Sequence, residues 1–122
     1  MTKEPRLTRL GFGPALRLRA RAEYTAVQNA GRRVAARYVT LLGLPNTLGT
    51  DRLGIIASKR VGGAVSRNRA KRRLRELFRR EIDRVDRPMD IVAIARAEIV
   101  DAPFAVVETD FHAALRKLRG AR

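Results

Sequence analysis

Residues 58–80 read SKRVGGAVSRNRAKRRLRELFRR, and the rest of the 122-residue chain has to be arranged around them. After Gly62-Gly63 the hydrophobic period changes from two to 3.6. Ala70, Leu74, Leu77, Phe78, Ile82 and Val85 then line one helical face. Ser66 is the expected N-cap, with Ala64 or Val65 as alternative openings a turn earlier. The stretch also carries Lys59, Arg60, Arg67, Arg69, Lys71, Arg72, Arg73, Arg75, Arg79 and Arg80 against the single acid Glu76. At the helical period, Asn68, Lys71, Arg72, Arg75 and Arg79 fall on one flank of the apolar stripe and Arg69, Arg73 and Arg80 on the other. Glu76 and Asp83 lie between them at the back. A charge run is ordinarily a solvated face, but here the acids are too few for pairing along the helix. The arginine fork fits phosphate oxygens, so a polyanion is the expected partner.

Composition agrees. The chain has a formal net charge of +15 and a pI near 11.7, the electrostatic footprint of a nucleic-acid binder. Hydrophobic residues make up 45% and aromatics only 5%, with no Trp, which points to one aliphatic core in a single domain. No apolar run approaches the ~20 residues of a membrane span, and the N-terminus lacks the continuous apolar core of a signal peptide, so a cytoplasmic protein is expected. A basic amphipathic protein lying on a membrane surface is a weaker alternative, because the apolar face of the long helix is needed for the core. With no Cys and a single His, His112, thiolate and His-rich metal sites are excluded. Asp51, Asp83, Asp86, Asp90, Asp101 and Asp110 are scattered, so neither a protein-borne metal nor a catalytic residue is expected.

Outward from the basic stretch, residues 1–17 mix Pro, Gly and scattered cations and read as a mobile basic arm; residues 18–119 read as one RNA-binding domain. Leu18 to Ala30 favours helix, with Gly31 as a left-handed stop. Tyr24 on this helix is either an ordinary half-buried packing residue or a base-stacking one. Arg17, Arg19 and Arg21 could add phosphate contacts. Val34 to Leu44 reads as one strand, and Arg52 to Ser58 as a second joined to it in an antiparallel hairpin. Asp90 to Ala95, DIVAIA, is a continuous apolar run of the buried-strand kind. Asp101 and Pro103 open a last amphipathic helix, stopped at Gly120, with His112 expected as a packing residue. The expected order is α, β, β, α, β, α.

Arg52-Leu53-Gly54, Ser58-Lys59-Arg60, Gly62, Ala64-Val65, Arg67-Asn68-Arg69, Lys71-Arg72 and Arg75-Glu76 follow in a fixed spacing that closely resembles the protein subunit of bacterial ribonuclease P. The flanking order extends the likeness from Leu18 to Leu118. The resemblance implies an α+β fold: a single-domain α/β sandwich like the second domain of ribosomal protein S5, with four strands and a left-handed β-α-β crossover. That hand runs against the general rule for such connections. The fourth strand would lie within Val34 to Leu44 or around Asn46 to Arg52.

The resemblance further implies a subunit that binds a large catalytic RNA and promotes removal of the 5′ leader from precursor tRNA, leaving a 5′-phosphate on the mature tRNA. The RNA carries the active site and holds the Mg2+, so the protein itself needs no cofactor. Its partners are the ribonuclease P RNA and precursor tRNA, with no membrane and no obligate protein partner. Carried over by position, Arg52, Lys59, Arg60, Arg67, Asn68, Arg69, Lys71, Arg72 and Arg75 form the RNA-contact set. Tyr24, Gln28 and Tyr38 become candidates for a leader cleft between the first helix and the sheet. Gln28 stands where the family often has a second aromatic, so it can hydrogen-bond to a nucleotide but stacks poorly. Arg67, near the apolar face, could instead anchor to a backbone carbonyl, and Gly62-Gly63 could either cradle a phosphate or simply turn the chain. A ribosomal or other structural RNA-binding protein is the alternative that the same charge pattern permits.

Overall fold

The computed structural model describes residues 17–81 and 87–120. In chain order they form helix α1 (Arg21–Ala30), strands β1 (Arg32–Ala35), β2 (Val39–Pro45) and β3 (Arg52–Ile56), helix α2 (Ala64–Arg79) and strand β4 (Met89–Ala95). A 3-10 helix (Ala97–Asp101) and helix α3 (Phe104–Leu118) complete the order. The expected N-terminal arm up to residue 16, and Ile82, Asp83, Val85 and Asp86, lie outside the described residues.

The four strands form one mixed sheet in the order β1-β2-β4-β3; β4 is antiparallel to β2 and parallel to β3. This corrects two expectations. The segment Val34 to Leu44, read as one strand, holds parts of two, because the chain reverses at Ala36–Tyr38; the fourth strand therefore lies in the first of its two expected places. There Ala36 N–H donates to Val39 O, and the N–H groups of Arg37 and Tyr38 donate to the Asp110 carboxylate of α3 at 3.2 and 2.8 Å. The expected hairpin between β2 and β3 is opened instead. These strands do run antiparallel, but β4 lies between them, with Leu44, Asp90 and Arg52 side by side. A strand that is apolar on both faces gains most at the centre of a sheet, where helices cover both sides. Asp51 holds the insertion in place: its carboxylate accepts from the N–H of Met89 at 2.8 Å and from Arg119 at 2.7 Å.

Both faces of the sheet are packed. Val39, Leu41, Leu53, Ile91 and Ala93 meet Leu74, Leu77 and Phe78 of α2 and Val107, Phe111, Leu115 and Leu118 of α3. The other face is narrower, with Leu42 and Val92 under Val27 of α1 and under Leu18. Leu18 is not helical; its N–H donates to Leu53 O beside the edge of β3, and α1 starts three residues later. α2 starts at Ala64, with Gly63 rather than Ser66 as its N-cap.

Gly31 ends α1 with φ −77°, not in the left-handed region. Its requirement is spatial instead: a Cβ there would stand 2.4 Å from Val27 O and 3.0 Å from Gly43 O. Gly120, expected only as the stop of the last helix, is the one of the two in the left-handed region, at φ +69°.

Candidate nucleic-acid interface

α2 lies on the sheet through Ala70, Leu74, Leu77 and Phe78, all buried, and this fixes where its cations point. The two flanks differ in use. On one, the Arg73 guanidinium donates to the carbonyls of Ile99 and Ala102 at 3.3 and 2.8 Å, and Arg80 pairs with Glu108 at 2.9 Å and lies over the Phe104 ring. Those two arginines hold the 3-10 helix and α3 against α2. On the other flank, Asn68 and Arg72 are exposed and Lys71 and Arg75 half-buried. Arg69, Lys59 and Arg60 are exposed as well, the last two in the turn that Gly62 closes at φ +135°.

Lys71 and Arg75 meet Arg17, Arg19 and Tyr24 around a small cavity of about 260 Å3 floored by Leu18, Leu53 and Ile55. Partial burial, then the charges of Arg17 and Arg72, push the Arg75 guanidinium below its usual range. The cations here are crowded together, and an anion would relieve them. The Tyr24 ring lies across Gly54 of β3. On the same face, Ile56, Ile94 and Thr40 sit side by side across β3, β4 and β2, with Ile56 and Ile94 half-buried, and Gln28 is exposed one turn after Tyr24. A cation-lined pocket thus borders an aromatic ring and a partly open apolar sheet face, a combination suited to single-stranded nucleic acid.

Two expected site residues are engaged within the protein. Arg52 is committed to Asp90, through Nε at 2.9 Å and a terminal nitrogen at 2.8 Å, and to Glu23 at 3.1 Å. This pairing raises the Arg52 pKa above its usual range, Asp90 contributing most. Tyr38 is buried in the core cluster with α2 and α3, because the reversal before β2 turns its ring to the face opposite α1. Arg67 is intermediate: it is half-buried, with its Nε shielded and unpartnered among the described residues. Arg17 and Arg19, expected only as additional phosphate contacts and remote from α2 in sequence, line the same pocket.

A larger cavity, about 860 Å3, lies between Arg32, Gly43, Met89, Leu118 and Arg119, but it touches none of the α2 cations, and its Arg119 is already paired with Asp51. Among the described residues no three His, Asp or Glu are grouped so as to hold a metal ion, and no helix is long and apolar enough to cross a membrane. His112 lies half-buried on α3 with Nε2 2.9 Å from Glu81 Oε2.

Comparison with known proteins gives a consistent result. The family model described as Ribonuclease P matches residues 12–119. The ribonuclease P protein component of Syntrophomonas wolfei is 38% identical over 101 residues, spanning 83% of this chain and 85% of that protein. That of Chloroflexus aurantiacus is 39% identical over 104 residues, spanning 84% and 77%. The solved structure of the ribonuclease P protein from Thermotoga maritima superposes with a TM-score of 0.75 at 30% identity, covering 83% of this chain and 96% of that one.

Proposed function

We propose, for a chain that belongs to the ribonuclease P protein family, that it holds the catalytic RNA with α2 and the turn before it, and holds the 5′ leader of precursor tRNA beside α1. Lys59, Arg60, Asn68, Arg69, Lys71, Arg72 and Arg75, with Arg67 at the edge, contact RNA phosphates. Tyr24 stacks on a leader base, and Gln28 hydrogen-bonds a neighbouring nucleotide. The observation that carries this reading is the shared pocket: Lys71 and Arg75 of the basic helix border the same cavity as Tyr24. One RNA strand can therefore pass from phosphate contacts to a stacking ring without leaving the surface.

The RNA carries the reaction. Magnesium held by that RNA, rather than by residues of this chain, would supply activation of the attacking water and stabilisation of the leaving oxygen. This chain's residues bind, orient and screen: the guanidinium groups offset phosphate repulsion between two RNA molecules, and Tyr24 fixes the direction in which the leader departs from the cleavage point. The reading carries a cytoplasmic location with it.

The test is reconstitution. The protein is mixed with a bacterial ribonuclease P RNA and a precursor tRNA at low magnesium, and cleavage at the mature 5′ end is measured. Stimulation over RNA alone is expected. Binding without stimulation would assign the chain to structural RNA binding instead.

A further inference from the structure

We propose that Glu23, Arg52 and Asp90 form a clamp that sets the position of α1 over the sheet, so that Arg52 acts on the leader through Tyr24 and not on RNA phosphate. The inference rests on the leader reading above. Glu23 works in two directions. Its Oε1 accepts from the backbone N–H of Arg19 at 2.7 Å and of Ala20 at 3.1 Å, capping the first turn of α1, and its Oε2 accepts from Arg52 at 3.1 Å. Arg52 reaches across to the neighbouring strand, where it pairs with both oxygens of Asp90, its direct partner in the parallel register. Asp90 is fixed in turn by the Asn46 side chain at 2.8 Å, which also donates to Thr50 O.

Three features make this a positioning device rather than a surface ion pair. The Arg52 and Asp90 side chains are only 19% and 13% exposed, and bidentate charge-assisted pairs in such partial burial hold geometry as well as charge. The clamp joins three separate elements, α1, β3 and β4. Tyr24 is the residue after Glu23, and its ring lies on Gly54, two residues along the same strand and on the same face as Arg52. Arg52 and Glu23 therefore hold one end of α1 while Val27, fully buried, holds the next turn. A change in the clamp moves Tyr24 before it moves anything on α2.

The experiment uses the reconstituted holoenzyme and compares affinity for precursor tRNA with affinity for mature tRNA, alongside the salt dependence of protein binding to the catalytic RNA alone. The variants are Arg52→Met, Glu23→Ala, Glu23→Gln and Tyr24→Ala. The clamp predicts that Arg52→Met and Glu23→Ala each reduce the preference for leader-bearing substrate about tenfold, as small misplacements do in preorganised sites. The salt slope for catalytic RNA should stay unchanged. Glu23→Gln, which keeps one acceptor oxygen for the cap but sets an amide NH2 donor against Arg52 in place of the second oxygen, should recover only part of the preference.

The phosphate-contact view of Arg52 predicts the reverse pattern, with Arg52→Met lowering the salt slope and Glu23→Ala freeing a cation and tightening RNA binding. Either of those results overturns the clamp. Should Arg52→Met fail to fold, the Glu23 pair decides alone. If Tyr24→Ala abolishes leader preference and the Glu23 variants leave it intact, only the clamp fails. If Tyr24→Ala leaves leader preference intact, the leader reading fails and the clamp with it.

Discussion

The ring of Tyr24 occupies the space that a side chain at position 54 would need: a Cβ on Gly54 would stand 2.6 Å from the ring Cε2 and Cζ and 2.8 Å from the hydroxyl oxygen. The glycine is there for the tyrosine, and the pair sets how closely α1 approaches β3. Gly54→Ala is therefore expected to lift Tyr24, with an overpacking cost of about 1–3 kcal/mol in chemical denaturation. It should also weaken precursor tRNA more than mature tRNA. Unchanged stability would mean that the ring swings away freely, and the close fit would then not govern the cleft.

Tyr24 itself should divide cleanly between roles. Tyr24→Ala is expected to cost about 1–3 kcal/mol in binding of leader-bearing substrate, the value of one stacked base, and little for mature tRNA. Tyr24→Phe should retain most of that affinity. Equal losses on both substrates would make Tyr24 a residue of the core alone.

The two flanks of α2 give opposite expectations. Arg72→Ala or Arg75→Ala should lower the log–log salt slope of catalytic-RNA binding by roughly 0.7–0.9 for each phosphate no longer neutralised, with folding stability little changed. Arg73→Ala should leave the slope alone and cost about 1–3 kcal/mol of stability, since its donors serve the carbonyls of Ile99 and Ala102. A slope that falls for Arg73 and not for Arg72 would reverse the assignment of the flanks.

Acid should loosen α1. Hydrogen bonds from the N–H of Arg19 and of Ala20, then the Arg52 guanidinium, hold the Glu23 carboxyl below its usual value of 4.5. Because the folded-state pKa is the lower one, the stabilisation is complete above about pH 4.5, the unfolded value, and is lost as pH falls through the depressed folded value. Glu76, lowered by Arg79 and Arg80, titrates in the same sense. Glu23→Gln should flatten the acid limb of a stability-versus-pH curve. A limb as steep as the parent's would show that Glu23 is not linked to folding.

Much of this architecture was legible in the residues themselves. The apolar positions 70, 74, 77 and 78 predicted the buried face of α2, and all four are buried. The continuous run of β4 predicted a buried strand, and every residue of it but Ile94 is buried. The site was less legible. Lys71 and Arg75 were drawn from the basic run, but only folding brings Arg17 and Arg19 beside them, and only folding pairs Arg52 with Asp90 and Glu23.

Charge, composition and period by themselves determined that this chain carries one basic amphipathic helix on an aliphatic sheet and seeks a polyanion. Periodicity reports which face of an element is buried, and net charge reports what the surface attracts. Neither reports which element becomes the neighbour. Only the tertiary structure decided that β4 enters between β2 and β3, that Tyr38 and Tyr24 lie on opposite faces, and that Arg52, Arg73 and Arg80 find partners within the protein while Arg72 stays exposed. The physical reason is the same in each case. An arginine looks identical in sequence whether its partner is a carboxylate, a carbonyl or a phosphate, and what separates them is which groups the packed sheet and helices bring within about 3 Å.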